Sequence, residues 1–219
     1  SGCVQHQQGV ELWINLSQPY GTIGKKKCYF ERGDFQVAHK DPRILLVRAD
    51  ALYWSGWIVV AYAPPSGIGR QEREAWWSHF TEVTHRRPRH EPIIVMIDAN
   101  AATGPCDGQH IFDNDDRSTP NTAFFRDFLD DHCLCAPSTL PLHQGSHFTW
   151  ICPTDESQHR IDYVLIPCDW QQHCTHSEGL TNLDFGHLGD HQATAIQLDW
   201  QELAIVQAKK SVGARHDRT

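Results

Sequence analysis

Apolar residues fall into short runs in this chain, and their period changes along it. At 9–15 they alternate with polar positions, through Val10, Leu12 and Ile14, as in a half-buried strand. A turn-rich stretch at 17–27 follows, with Pro19, Gly21 and Gly24. Residues 35–39, 43–49 and 57–62 read as strands. The second is entered through the Asp41-Pro42 turn. The third ends at Pro64-Pro65, because proline has no N–H to donate to a ladder. At 71–86 the period lengthens to that of a helix, with Trp76, Phe80 and Val83 at i, i+4 and i+7 and charges between. Residues 92–97 are almost continuously apolar over a strand's length, which predicts a strand buried on both faces. A long loop with Gly104, Pro105 and Gly108 leads to a second helix at 121–132, its apolar side made by Phe124, Phe125, Phe128 and Leu129. Strands are expected at 147–151, 160–166 and 192–200, then a polar, frayed tail at 201–219.

This order predicts an α/β (α+β) domain over 1–200, with mixed sheets and helices on their outer faces. There is no regular βαβ repeat and no Gly-rich phosphate loop after a strand, which excludes a dinucleotide or P-loop site. No apolar run reaches the roughly eighteen residues that span a bilayer. Ser1 to Gln8 carry no apolar signal-peptide core, and Ser1 is not an initiator Met, so the chain reads as a piece of a longer protein. Hydrophobic residues make up 40%, and eight Trp and nine Phe suffice for a sizeable core. The formal net charge of −8 counts against a sequence-independent grip on nucleic acid. It counts less against a carboxylate-lined site where a divalent cation supplies local positive charge. None of the eight cysteines forms a C-x-x-C pair, so they read as free thiols of a reducing compartment, nuclear or cytoplasmic, while their even count leaves disulfides open if the parent protein is secreted.

Four segments can carry chemistry. In Ile97-Asp98-Ala99-Asn100, ending the apolar run, a carboxylate and an amide two residues apart share a face. They suit a base or hard metal and a phosphate oxygen, respectively; the plainer reading is a turn start. Asp162 in Arg160-Ile161-Asp162-Tyr163 interrupts a run of strand formers and needs a partner, which an arginine could supply. Asp190-His191 before a strand pairs a proton carrier with a carboxylate able to orient it, or is simply loop. Tyr62 ends a strand, where its phenol could reach a phosphate or only pack.

Taken in order, these segments resemble the endonuclease/exonuclease/phosphatase superfamily, over about 9–200 and best from Ile93 onward. Ile97-Asp98-Ala99-Asn100 is similar to its Gly-Asp-x-Asn, Phe148-Thr149-Trp150 to its Thr-Trp strand, and Arg160-Ile161-Asp162-Tyr163 to its Ile-Asp-Tyr segment. Gly189-Asp190-His191 resembles its Ser-Asp-His except at the first position. Within the superfamily, the opening at 9–13 and the helix at 121–132 are most similar to the endonuclease domain of non-LTR (LINE-type) retrotransposons.

The resemblance implies a four-layer α/β sandwich, two mixed β-sheets flanked by helices, with the first strands missing here. It implies Mg²⁺-assisted hydrolysis of a phosphodiester (Mn²⁺ as the alternative), with DNA as partner and a reverse transcriptase domain downstream. Asp98 would activate or orient water and contact the metal, and Asn100 would hold a phosphate oxygen. His191, paired with Asp162, would stabilise charge on the phosphate or donate a proton. Asp190 would contact the metal directly or through water, and Tyr62 would bond the phosphate. Asn121 would orient Asp98 or the phosphate, with a helix N-cap as its rival reading. The family's principal metal ligand, a Glu on the second strand, and an Asn on the first belong upstream of Gly9, where nothing is acidic. Glu11 lies within the following strand and is not promoted. Two alternatives to a DNA-nicking endonuclease therefore stand: a non-catalytic fragment of the same fold, and an inositol-phosphate or lipid phosphodiesterase.

Overall fold

The structure is a computed structural model that describes residues 9–115, 117–181 and 190–199. The expected tail, Gly189 and Trp200 lie outside the described residues. The chain enters through a hairpin, β1 (Pro19–Ile23) and β2 (Lys26–Tyr29), turned at Gly24, whose φ of 63° suits glycine. Strand β3 (Phe35–Lys40) pairs antiparallel with β4 (Ile44–Ala51), and β4 with β5 (Trp54–Tyr62). Helix α1 (Arg70–His85) crosses over to β6 (Ile93–Asp98), which lies parallel to β5. Helix α2 (Thr122–His132) leads to β7 (Leu134–Cys135). Three short strands follow, β8 (His143–Gly145), β9 (Trp150–Ile151) and β10 (Gln158–His159). Then β11 (Asp162–Pro167) inserts antiparallel between β6 and β7. Strands β12 (Cys174–Leu180) and β13 (Ala193–Leu198) complete the described chain.

The result is a six-stranded sheet in the order β3-β4-β5-β6-β11-β7 and a three-stranded sheet in the order β13-β12-β8. Both are mixed, through the parallel pairs β5–β6 and β12–β8. Two cores hold them. On one face of the larger sheet, Leu46, Val59, Val95 and Leu165 meet Trp77 and Phe80 of α1 and Phe125 and Phe128 of α2. Phe80 and Phe128 stack at 4.6 Å and Phe125 and Tyr163 at 4.7 Å, so truncating any one of these rings costs about 3–5 kcal/mol. On the other face Trp54, Leu140, Ile166 and Trp170 gather half-buried Ile58, Ile94, Ile196 and Leu198, the last two from β13. This is the α/β sandwich of two mixed sheets expected from the sequence; among the described residues, both α-helices lie against the larger sheet.

Several elements differ from the sequence reading. Residues 9–15 form no strand, and Trp13 is 88% exposed, because the alternation there meets no partner strand. The turn-rich stretch instead holds the β1–β2 hairpin. The buried face of α1 runs through Arg73, Trp77, Phe80, Val83 and Thr84, one position on from the expected Trp76, which is half-buried. Phe124 likewise lies at the margin of the core. In β6 only Ile93, Val95 and Ile97 are fully buried; Ile94 and Met96 face the second sheet half-covered. The strand expected at 147–151 shortens to Trp150–Ile151.

Candidate active site

The ends of three neighbouring strands place the polar residues in one row. Tyr62, last in β5, stands opposite Asp98, last in β6. Asp98 stands opposite Asp162, first in β11. This is the carboxyl end of the parallel pair, where open sheets carry ligands. Each of the three occupies the half-exposed face of its strand, while Ala61, Ile97 and Tyr163 beside them go into the helix-side core. Strand alternation thus divides packing from chemistry residue by residue.

His191 joins the row from the other sheet's side of the chain. Its Nδ1 lies 3.0 Å from Asp162 Oδ2. Asp162 therefore answers the sequence question of its partner with a histidine; Arg160 pairs with Asp113 at 2.6 Å and with the Ser138 carbonyl. Thr149 fixes this arrangement. Its hydroxyl accepts from the backbone N–H of Ile161 and Asp162, both at 3.0 Å, while its carbonyl accepts from Gln192 N at 2.6 Å. A single bridge between Trp150 and His191 extends this contact, and Trp150 Nε1 donates to Asp190 Oδ2 at 3.1 Å. The Thr-Trp pair is thus the clamp that holds 190–192 against β11.

Asn100 has a φ of 46°, in the left-handed region that asparagine tolerates better than most residues. Its backbone N–H donates to Asp98 Oδ1 at 3.0 Å, and its Nδ2 to the Ala63 carbonyl at 3.0 Å. Asn121 occupies the N-cap position of α2, yet its side chain makes no cap bond. It is fully buried, and its Nδ2 lies 2.8 Å from the Pro64 carbonyl and 3.3 Å from those of Ala99 and Asn100. Its Oδ1 accepts from Trp77 Nε1 at 3.3 Å. Asn121 therefore ties the two loops that carry Tyr62 and Asn100. Arg43 was not legible as a site residue, since an arginine after a turn has no distinctive pattern. Its guanidinium lies 4.7 Å over the Tyr62 ring, within cation–π reach.

Burial and the nearby Asp162 carboxylate push the Asp98 carboxyl up to about 7. The hydrogen bond to Asp162 raises His191 above its ordinary value, against the opposing effect of burial. One ligand atom from each of Asp98, Asp162 and His191 falls within 4.8 Å of the others, and no glutamate belongs to this group among the described residues. Two neighbouring carboxylates, both half-buried, fit a hard divalent cation, which takes oxygen ligands and offsets the cost of burying negative charge. Asp190 lies outside the group of three.

No family model and no curated protein sequence matches the chain. Its structure is similar to several solved ones. A 3'-5' exonuclease (NExo) from Neisseria meningitidis has a TM-score of 0.53 at 17% identity, over 76% of this chain and 70% of that one. The endonuclease domain of TRAS1, a telomere-specific non-LTR retrotransposon, has a TM-score of 0.52 at 15% identity, over 78% and 71%. An AP endonuclease from Archaeoglobus fulgidus has a TM-score of 0.52 at 13% identity, over 76% and 70%. The chain has the fold of the endonuclease/exonuclease/phosphatase proteins.

Proposed function

We propose that this chain is a divalent-metal-dependent phosphodiesterase that nicks DNA, with Mg²⁺ as its ion and Mn²⁺ as the alternative. The observation that carries this reading is the row Tyr62–Asp98–Asp162 closed by His191, at the carboxyl end of the parallel strands. The fold-mates support it: they are an exonuclease, a retrotransposon endonuclease domain and an AP endonuclease. Asp98, Asp162 and, through its second carboxylate oxygen or a water, Asp190 would hold the ion. When bound, it supplies positive charge at the phosphate oxygens and acidifies water.

The chain's own residues do the rest. In the loaded site Asp98 is ionised, and its carboxylate is placed to orient the attacking water or take its proton. Asp162 holds His191 by Nδ1, which leaves Nε2–H to face the phosphate or the leaving oxygen. The cationic form of His191 favoured by Asp162 is the form that stabilises negative charge there. Asn100 offers the amide hydrogen that Ala63 does not use, and the Tyr62 phenol, beneath Arg43, offers a further donor. Asn121 is a positioning residue for both loops.

Nicking of supercoiled plasmid with Mg²⁺ against EDTA tests this reading. Wild type is expected to nick only with metal, and Asp98→Ala and His191→Ala each to lose on the order of 10²-fold or more. Absence of nicking, or unchanged rates in both variants, sinks it. In that event small phosphate esters as substrates separate another phosphodiesterase from a non-catalytic domain.

A further inference from the structure

We propose that His39, Asp41 and His79 form a Zn²⁺ site that shares no residue with the carboxylate centre and clips helix α1 to the turn between β3 and β4. The three come from three places: His39 from β3, Asp41 from the turn after it, and His79 from the middle of α1. Asp41 Oδ2 faces His39 Nε2 at 2.9 Å and His79 Nε2 at 3.3 Å. One ligand atom from each lies within 4.8 Å of the others. Metal–ligand bonds of about 2.0–2.1 Å at tetrahedral angles place ligand atoms about 3.3 Å apart. The two contacts of Asp41 Oδ2, at 2.9 and 3.3 Å, already lie close to that separation.

The donors are right for the ion. Two imidazoles and one carboxylate suit Zn²⁺ and its neighbours in the first transition row, whereas Mg²⁺ prefers oxygen alone. Asp41 is already aimed: its Oδ1 accepts from the backbone N–H of Arg43 at 2.7 Å and of Ile44 at 2.8 Å, leaving Oδ2 toward the two rings. Burial would raise the Asp41 carboxyl, but the bonds from His39, Arg43, His79 and Ile44 outweigh it and keep the group below its ordinary value, ionised and ready to ligate. The His79 side chain is 43% exposed, which leaves water free to complete a fourth position.

A second cluster shows what a non-site looks like. His85, Asp131 and His132 also come together, but Thr84 Oγ1 lies at 2.9 Å from His132 Nε2, and Arg87 Nη2 donates to Nδ1 at 3.1 Å. Both ring nitrogens are engaged there, and a guanidinium stands where a cation would sit. At His39, Asp41 and His79, among the described residues, both rings turn a nitrogen to the same carboxylate oxygen. The clip also reaches the active centre indirectly. Arg43, whose N–H is held by Asp41, is the residue whose guanidinium covers Tyr62. An ion at the clip would stiffen the turn from which Arg43 extends.

Co²⁺ serves as the spectroscopic probe, titrated into the protein in excess Mg²⁺ so that the carboxylate centre is filled. One equivalent is expected to give the visible bands of a nitrogen- and oxygen-ligated site of low coordination, without the near-ultraviolet band of thiolate ligation, and Zn²⁺ is expected to displace it. His79→Ala and Asp41→Asn are each expected to weaken uptake by on the order of 100-fold, the upper end of what loss of a supporting group alone costs. Asp98→Asn is expected to bind as wild type does. Equal uptake by wild type and His79→Ala, absence of uptake by wild type, or a thiolate band each overturns the proposal. Should Asp41→Asn disturb the turn, His79→Ala, at an exposed helical position, keeps the test decisive.

Discussion

Asp98 has to serve two opposed ends. The strand end that brings it to Asp162 also raises its carboxyl from an ordinary 3.8 to about 7. The unfolded chain feels no such shift. Well below pH 3.8 the group is neutral in both states and costs nothing. As pH rises through 7 its ionisation is resisted in the folded state only, so stability is lost over that interval. His191 acts in the same direction: its raised value gives stability that is complete below 6.5 and lost at higher pH. Asp98→Asn, in EDTA at pH 8, is therefore expected to unfold above wild type. Each ~1 kcal/mol of relief raises the midpoint by about 2–4 °C for a chain of this size. The gain is expected to shrink to a small remnant at pH 4, and scanning calorimetry at the two pH values checks both. A wild type more stable than Asp98→Asn at pH 8 contradicts this account. At this scale the sequence was informative where chemistry sits in contiguous words, as around Asp98, Asp162 and His191. It was silent on Arg43, whose part depends on what it crosses over, and it left Asn121 open between orienting Asp98 or the phosphate and capping a helix. For Asn121 the helix start suggested a cap, but burial against Trp77 and the Pro64 carbonyl takes the side chain elsewhere.

Among the elements, β5, β6 and β11 announced themselves through β-branched runs, because their burial requires such residues. Strand β12 did not. It reads Cys-Thr-His-Ser-Glu-Gly-Leu, with Ser177 and Gly179 at inward positions where a hydrophobic side chain would be expected. The reason lies in the crossing with β8. A Cβ on Gly179 would collide with the Ser146 carbonyl, and one on Gly145, itself at φ 74°, would meet the Gly179 carbonyl at 2.5 Å. Smallness is what that contact selects, and smallness carries no periodic signal. Gly179→Ala is expected to cost about 1–3 kcal/mol, read as a lower urea midpoint at unchanged slope. An unaltered midpoint would mean that the two strands part without penalty. The opposite error occurred at 9–15, where alternation was plain but, among the described residues, no strand pairs with it.

Across the whole molecule, the two cores are unequal. The helix-side core closes around residues with almost no exposure, such as Val59, Phe80, Val95 and Leu129. The other takes much of its area from half-buried side chains, and in β13 every residue from Ala193 to Ile196 is only partly covered. Native-state hydrogen exchange is expected to be slowest in β4, β5 and β6 and markedly faster in β12 and β13. Uniform protection would show the sheets to open as one unit. The paired sheets themselves were legible from the order of elements, whereas this inequality was not, since it arises from how completely one layer covers the next. It bears on the reaction through His191. Asp98 and Asp162 lie at strand ends of the well-covered sheet, while His191 is carried by the segment leading into β13 and is held to that sheet by Asp162 and by the contacts of Thr149 and Trp150. His191 and Asp98 thus belong to parts of the molecule expected to loosen at different denaturant strengths. On the proposed reading, mild urea would silence nicking while the tryptophans still report an intact interior, a failure expected to reverse on dilution without any need to refold.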